Sequence, residues 1–198
     1  APGTPSITDI QDTQISISWV AVSGATSYKV YCGTSSNPTT LDGTTANNTY
    51  TKTGLTANTT YYFRLKASNA GGDSNYSGQR QALSMVTTPS QPSVGGVNPT
   101  ENSISWSEVA GTLQTKLFGG TSSNPTTLLV TEDEGTTSYN HTGLTPGTTY
   151  YYRIRQTNDT SETYTSNYSS EVNVTAMSLT APTNVAGTPA VLNNTITF

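Results

Sequence analysis

Short runs in which apolar and polar residues alternate recur along the whole chain. In the stretch from Gln14 to Trp19, Ile15, Ile17 and Trp19 point one way and Ser16 and Ser18 the other. Tyr28, Val30 and Cys32 make the inward face of a second run. Tyr61, Phe63 and Leu65 do the same further on, with Tyr62, Arg64 and Lys66 facing outward. A period of two predicts strands with one buried face. Gly, Pro, Asn and Ser separate the runs, and no stretch sustains the 3.6-residue apolar period of a helix. Strands that are apolar on one side only suit antiparallel sheets packed face to face. The prediction is an all-β sandwich.

The pattern occurs twice. Ile17-Ser18-Trp19 returns as Ile104-Ser105-Trp106, and the nine residues from Gly33 to Leu41 return unchanged from Gly120 to Leu128. Thr53-Gly54-Leu55-Thr56 returns as Thr142-Gly143-Leu144-Thr145. The run from Tyr61 to Lys66 returns from Tyr150 to Arg155, and Ser74-Asn75-Tyr76-Ser77 returns as Ser166-Asn167-Tyr168-Ser169. The offset widens slightly, which places small insertions before Tyr139 and near Asp159, in loops that tolerate them. A third copy opens at Ala181-Pro182, where the segment from Asn194 to Phe198 lines up with that from Asn102 to Trp106. The expected division is residues 1–87, residues 88–178, and the first strands of an incomplete third repeat in residues 179–198. Short Pro-containing joints predict semi-rigid, end-to-end neighbours. The unfinished third copy is expected to belong to a longer chain, or else to pair its strands with another subunit as a homopolymer would.

Leu144-Thr145-Pro146-Gly147-Thr148-Thr149-Tyr150, and less closely the segment from Leu55 to Tyr61, resemble the L-x-P-x-T-x-Y stretch of fibronectin type III domains. The early Trp19 and Trp106 resemble the core tryptophan of that family. The resemblance implies tandem seven-stranded immunoglobulin-like sandwiches. It also implies that Tyr61 and Tyr150 are tyrosine corners, whose hydroxyls bond the backbone of the preceding turn. Trp19, Tyr61, Trp106 and Tyr150 are then structural core residues. Ala57 stands where the family has Pro, a departure expected to loosen that turn slightly.

Composition narrows function. Charged residues are 10% of the chain and the net charge is −4, with Ser and Thr making up about a third. No Lys/Arg run exists, which argues against nucleic-acid binding and an anionic-membrane patch. No apolar stretch is long enough to cross a bilayer. Ala1-Pro2-Gly3 reads as a mature or trimmed start. Cys32 is the one cysteine, so no internal disulfide and no multi-cysteine zinc site can form. It aligns with Gly119 and reads as a small buried apolar residue.

Candidate chemistry is sparse: no cofactor, no catalytic set and no metal site is expected. His141 has no triad or ligand partner in its neighbourhood and is expected as a surface strand histidine. Glu132-Asp133-Glu134 reads as a solvated loop, because no calcium-loop spacing accompanies it. The loop from Asn69 to Ser74 lacks the Arg-Gly-Asp by which integrin-binding members of the family are recognised, and so does the loop from Asn158 to Tyr164. Asn-x-Ser/Thr acceptors fall at Asn47, Asn58, Asn75, Asn140, Asn158, Asn167, Asn173 and Asn193, of which the repeated pair Asn75 and Asn167 is the preferred one. Outward Tyr62, Tyr151 and Tyr164 are candidates for stacking on sugar rings, set against ordinary cross-strand pairing.

The sequence thus predicts a non-catalytic extracellular or cell-surface repeat array: a spacer, an adhesin stalk or a filament subunit. Its expected partners are neighbouring repeats and glycans. The alternative is a carbohydrate- or protein-binding accessory module of a secreted hydrolase.

Overall fold

A computed structural model describes residues 1–159, 161 and 165–179 of the 198-residue chain. The expected third repeat beyond Leu179, with its Asn193, and Tyr164 lie outside the described residues. The first unit runs β1 (Ser6–Ile10), β2 (Gln14–Ser18), β3 (Ser27–Gly33), β4 (Leu41–Thr45), β5 (Thr49–Thr53), β6 (Thr60–Asn69), β7 (Gly72–Asp73) and β8 (Arg80–Leu83). The second runs β9 (Ser93–Gly95), β10 (Glu101–Ser105), β11 (Gln114–Gly120), β12 (Leu128–Asp133), β13 (Ser138–Thr142), β14 (Thr149–Thr157) and β15 (Val172–Thr175).

Each unit is two antiparallel sheets. In the first, β1-β2-β5 faces β4-β3-β6, with β7 and β8 both paired to β6. In the second, β13-β10-β9 faces β12-β11-β14-β15. The alternation read from sequence is the alternation of burial: β6 switches between half-buried and buried along nearly its whole length. Ile15, Ile17, Trp19, Tyr28, Val30, Phe63 and Leu65 fill the space between the first pair of sheets. Ile104, Trp106, Leu117, Tyr152 and Ile154 fill the second. Burying side chains of this size contributes about 1.5–3 kcal/mol each.

The tyrosine corners close both sandwiches. The Thr56 N–H donates to the Tyr61 hydroxyl at 3.0 Å, and the Thr145 N–H to that of Tyr150 at 3.0 Å. Ala57 therefore does not loosen its turn. Asn58 sits at φ 50° in the first corner, and Gly147 at φ 76° in the second. Asn is the non-glycine residue that tolerates this left-handed region best, and it supplies the turn geometry that Pro does not set here.

Candidate interaction surfaces

The nine-residue segment shared by both units is a loop that receives an arginine. Asn37 and Asn124 adopt φ 56° and 54° and turn the chain. The carbonyl of the following proline then faces the large sheet. Arg64 donates to the Pro38 carbonyl at 2.8 Å, and Arg153 to the Pro125 carbonyl at 2.8 Å. The Asn37 N–H is capped by the Gln79 side chain, and that of Asn124 by Glu171 at 2.6 Å.

The same arginines lie on a tyrosine. Arg64 and Lys66 lie 3.9 and 4.4 Å from the Tyr76 ring centroid, and Arg153 and Arg155 lie 3.5 and 4.2 Å from that of Tyr168. Tyr31 and Phe118 meet these rings edge-on at 4.9 and 5.2 Å. Tyr31 lies on the outward face of β3 yet is buried, because Tyr76 covers it. Paired serines hold each tyrosine in place. The N–H groups of Leu65 and Ala67 donate to the Ser77 and Ser74 hydroxyls, and those of Ile154 and Gln156 to Ser169 and Ser166. Thus the serines of the repeated Ser-Asn-Tyr-Ser motif carry structure. Arg64, Lys66, Arg153 and Arg155 are engaged by aromatic rings, and Arg64 and Arg153 by loop carbonyls as well.

Tyr62 and Tyr151 are half-buried on this sheet, opposite Gly33 and Gly120. Among the acceptor asparagines, Asn47, Asn58, Asn75, Asn140, Asn167 and Asn173 are exposed. Asn158 is the exception. It is buried, and its Nδ2 donates to the Ser84 carbonyl and to Asn58 Oδ1 of the first unit, both at 2.9 Å. A glycan on Asn158 and this joint exclude one another.

His141 departs from the surface residue expected. It lies on the edge strand β13 but turns inward, half-buried. Its Nδ1 is 3.0 Å from the Tyr152 hydroxyl, which also accepts from Asn102 Nδ2 at 3.0 Å. Burial holds the imidazole below its ordinary value of 6.5. The Tyr150 and Tyr152 rings meet it edge-on at 5.7 Å. Cys32 is buried, and desolvation pushes its thiol up to about 12. Asp133 of the acidic run is engaged by Gln114 at 3.0 Å. The described residues hold no group of three or more His, Cys, Asp or Glu able to share a metal.

Asp42 forms a cluster that sequence reading missed. Its carboxylate accepts from Lys52 at 2.6 Å and from the Tyr50 hydroxyl at 2.8 Å. Burial and this carboxylate raise the Tyr50 phenol to about 12. The second unit has Leu129 and His141 at the positions of Asp42 and Lys52, so the cluster is private to the first. Period-two alternation places Asp42 on a strand but cannot show that it meets the neighbouring strand's Lys.

No helix among the described residues is long and apolar enough to cross a membrane. The fibronectin type III domain model matches residues 1–82. No curated protein matches the chain in sequence. Among solved structures, the chicken CNTN1 FN1–FN3 domains are similar over 89% of this chain and 68% of theirs, at 18% identity and a TM-score of 0.51. A two-domain fibronectin type III segment of chicken tenascin covers 87% of this chain and 97% of its own length, at 18% identity and a TM-score of 0.44. Residues 1–82 are a fibronectin type III domain, and the second unit repeats that fold in tandem.

Proposed function

We propose that the chain is a non-catalytic spacer segment of an extracellular or cell-surface repeat array. The observation that carries this reading is the joint. Met85 and Val86 are 2% and 0% exposed, although they belong to the connection between the sandwiches. Asn158 bridges across that connection to Ser84 and Asn58. A buried, hydrogen-bonded connection transmits orientation from one unit to the next, whereas a solvated linker does not. Small sandwiches stacked in this way give reach without one large core. Solution scattering from the whole chain tests the reading. The expected profile is that of a rod two sandwiches long, unchanged by salt; a hinged or side-by-side pair would contradict it.

Exposed Asn75 and Asn167 are the glycan acceptors this reading favours, shielding the sandwich faces. Peptide mass spectrometry of protein from its native secretory source is expected to find them modified, and bare peptides at both sites would remove the idea. A carbohydrate-binding accessory module is the second reading. It draws support from Tyr62 and Tyr151, which each stand opposite a glycine at matching places in both units. Specific binding on a glycan array that Tyr62→Ala and Tyr151→Ala abolish would favour it over the spacer.

A further inference from the structure

The joint uses one end of the second unit, and the first unit carries the equivalent end. Strand register fixes the correspondence. Ser68 pairs with Ser27 at the end of β6 as Thr157 pairs with Gln114 at the end of β14, so Asn69 and Asn158 are equivalent residues. Gly24 and Gly111 are equivalent too. Each sits in a turn closed by an N–H to the carbonyl three residues back, from Ala25 to Val22 and from Thr112 to Val109, with φ of 78° and 85°.

The surroundings of these pairs differ in one respect. At Gly111, a Cβ would fall 2.0 Å from the Asn58 side chain of the first unit. At Gly24, nothing lies within 4 Å. Asn158 sends its amide across the joint to Ser84 and Asn58. Asn69 instead folds its amide back onto the Gly24 carbonyl at 2.9 Å, while its Oδ1 caps the Gly71 N–H at 2.8 Å. Because the Ser84 carbonyl can only accept, the Asn158 amide must present Nδ2 to it, which sets the orientation of both asparagines.

We propose that Asn69 and Gly24 form a docking surface for the tail of another copy of this repeat, namely one carrying Asn at the position of Asn58. On docking, the Asn69 amide leaves its own Gly24 carbonyl and donates to the incoming tail, as Asn158 does. The asparagine is a latch between an unoccupied and an occupied state of the same end. The second unit offers a different tail, because Gly147, which has no side chain to accept a hydrogen bond, stands where the first has Asn58. A tail of the first kind is therefore the occupant that fits.

The inference rests on the spacer reading, and the test separates the two. Residues 1–88 are added ahead of Pro2 in the full chain, so that a tail with its own Asn58, Ser84 and Met85 precedes the first unit. The side-chain amide of Asn69 is followed by NMR in this chain and in the natural one. The expected result is that exchange of its Nδ2 protons slows, on the order of tenfold, to match Asn158. Asn69→Asp keeps the acceptor that caps Gly71 but removes the donors. It should abolish the shared alignment of the added unit with the next while leaving each unit's melting transition in place. An Asn69 amide that stays unchanged while that of Asn158 is protected overturns the latch and leaves the spacer reading standing. Independent tumbling of the two units in the natural chain overturns the spacer reading itself.

Discussion

The two sandwiches share topology, corners and the cation-aromatic face, yet their cores are built differently. Among the described residues, the first buries twelve in one apolar cluster and the second eight. The difference sits at register-matched positions. Ile15 opposite Lys52 becomes Asn102 opposite His141, and Phe63 opposite Cys32 becomes Tyr152 opposite Gly119. Leu129, which stands where the first unit has Asp42, crowds the glycine: a Cβ at Gly119 would fall 2.5 Å from Leu129 and 3.0 Å from the Tyr152 ring. Ala67 becomes Gln156, whose amide is bonded to Thr112, Thr115, Val109 and the Ser107 carbonyl. One fold thus tolerates an oily interior or one threaded by hydrogen bonds. The second depends on every partner being present, since a buried polar group costs most when its partner is missing.

Calorimetry that resolves the two unfolding transitions can break this comparison. The largest effects come from the rings: Phe63→Ala and Tyr152→Ala should each cost about 3–5 kcal/mol. Each should lower the transition of its own unit, and equal movement of both transitions would show that the cores are not independent. Next, Asn102→Ala should cost the second unit about 1–3 kcal/mol by removing the donor to Tyr152. Replacing the network as a whole by apolar residues, Asn102→Ile with Tyr152→Phe and His141→Leu, should recover the loss, because no buried polar group is then left unmatched. A triple variant less stable than Asn102→Ala would refute the polar-network account.

Smaller effects sharpen what the units share. Tyr61→Phe and Tyr150→Phe should cost about 1 kcal/mol each, and equally, since both corner bonds are alike despite Ala57 in one and Pro146 in the other. The mildest effect is confined to acid. His141 is held neutral by burial, so the native unit binds fewer protons than the unfolded one below pH 6.5. Its stability contribution is present above that value and is lost as pH falls toward the lowered native pKa. The second transition should therefore drop in mild acid relative to the first, whose unit has no histidine, and His141→Lys should remove the excess drop. Equal acid sensitivity in both variants would contradict this.

Alternation, the Trp pair and the corner motif made the fold legible, because strands with one buried face write their geometry into every second residue. The burial of Tyr31 was not legible. It depends on Tyr76, which lies forty-five positions away and outside any alternating run. Nor was the inward turn of His141, which follows from Asn102 and Tyr152 on two other strands. The joint was hidden for the same reason: Asn158 looks like an ordinary loop acceptor until the first unit's Ser84 carbonyl is placed beside it. Residues that act within a strand announce themselves by period, and residues that act between strands or units do not.

The spacer account turns on that joint, and residual dipolar couplings from backbone amides of both sandwiches in the whole chain test it most directly. The account predicts that one alignment tensor fits both units, and that Asn158→Asp splits it into two while both units stay folded. Two unrelated tensors in the natural chain would contradict it.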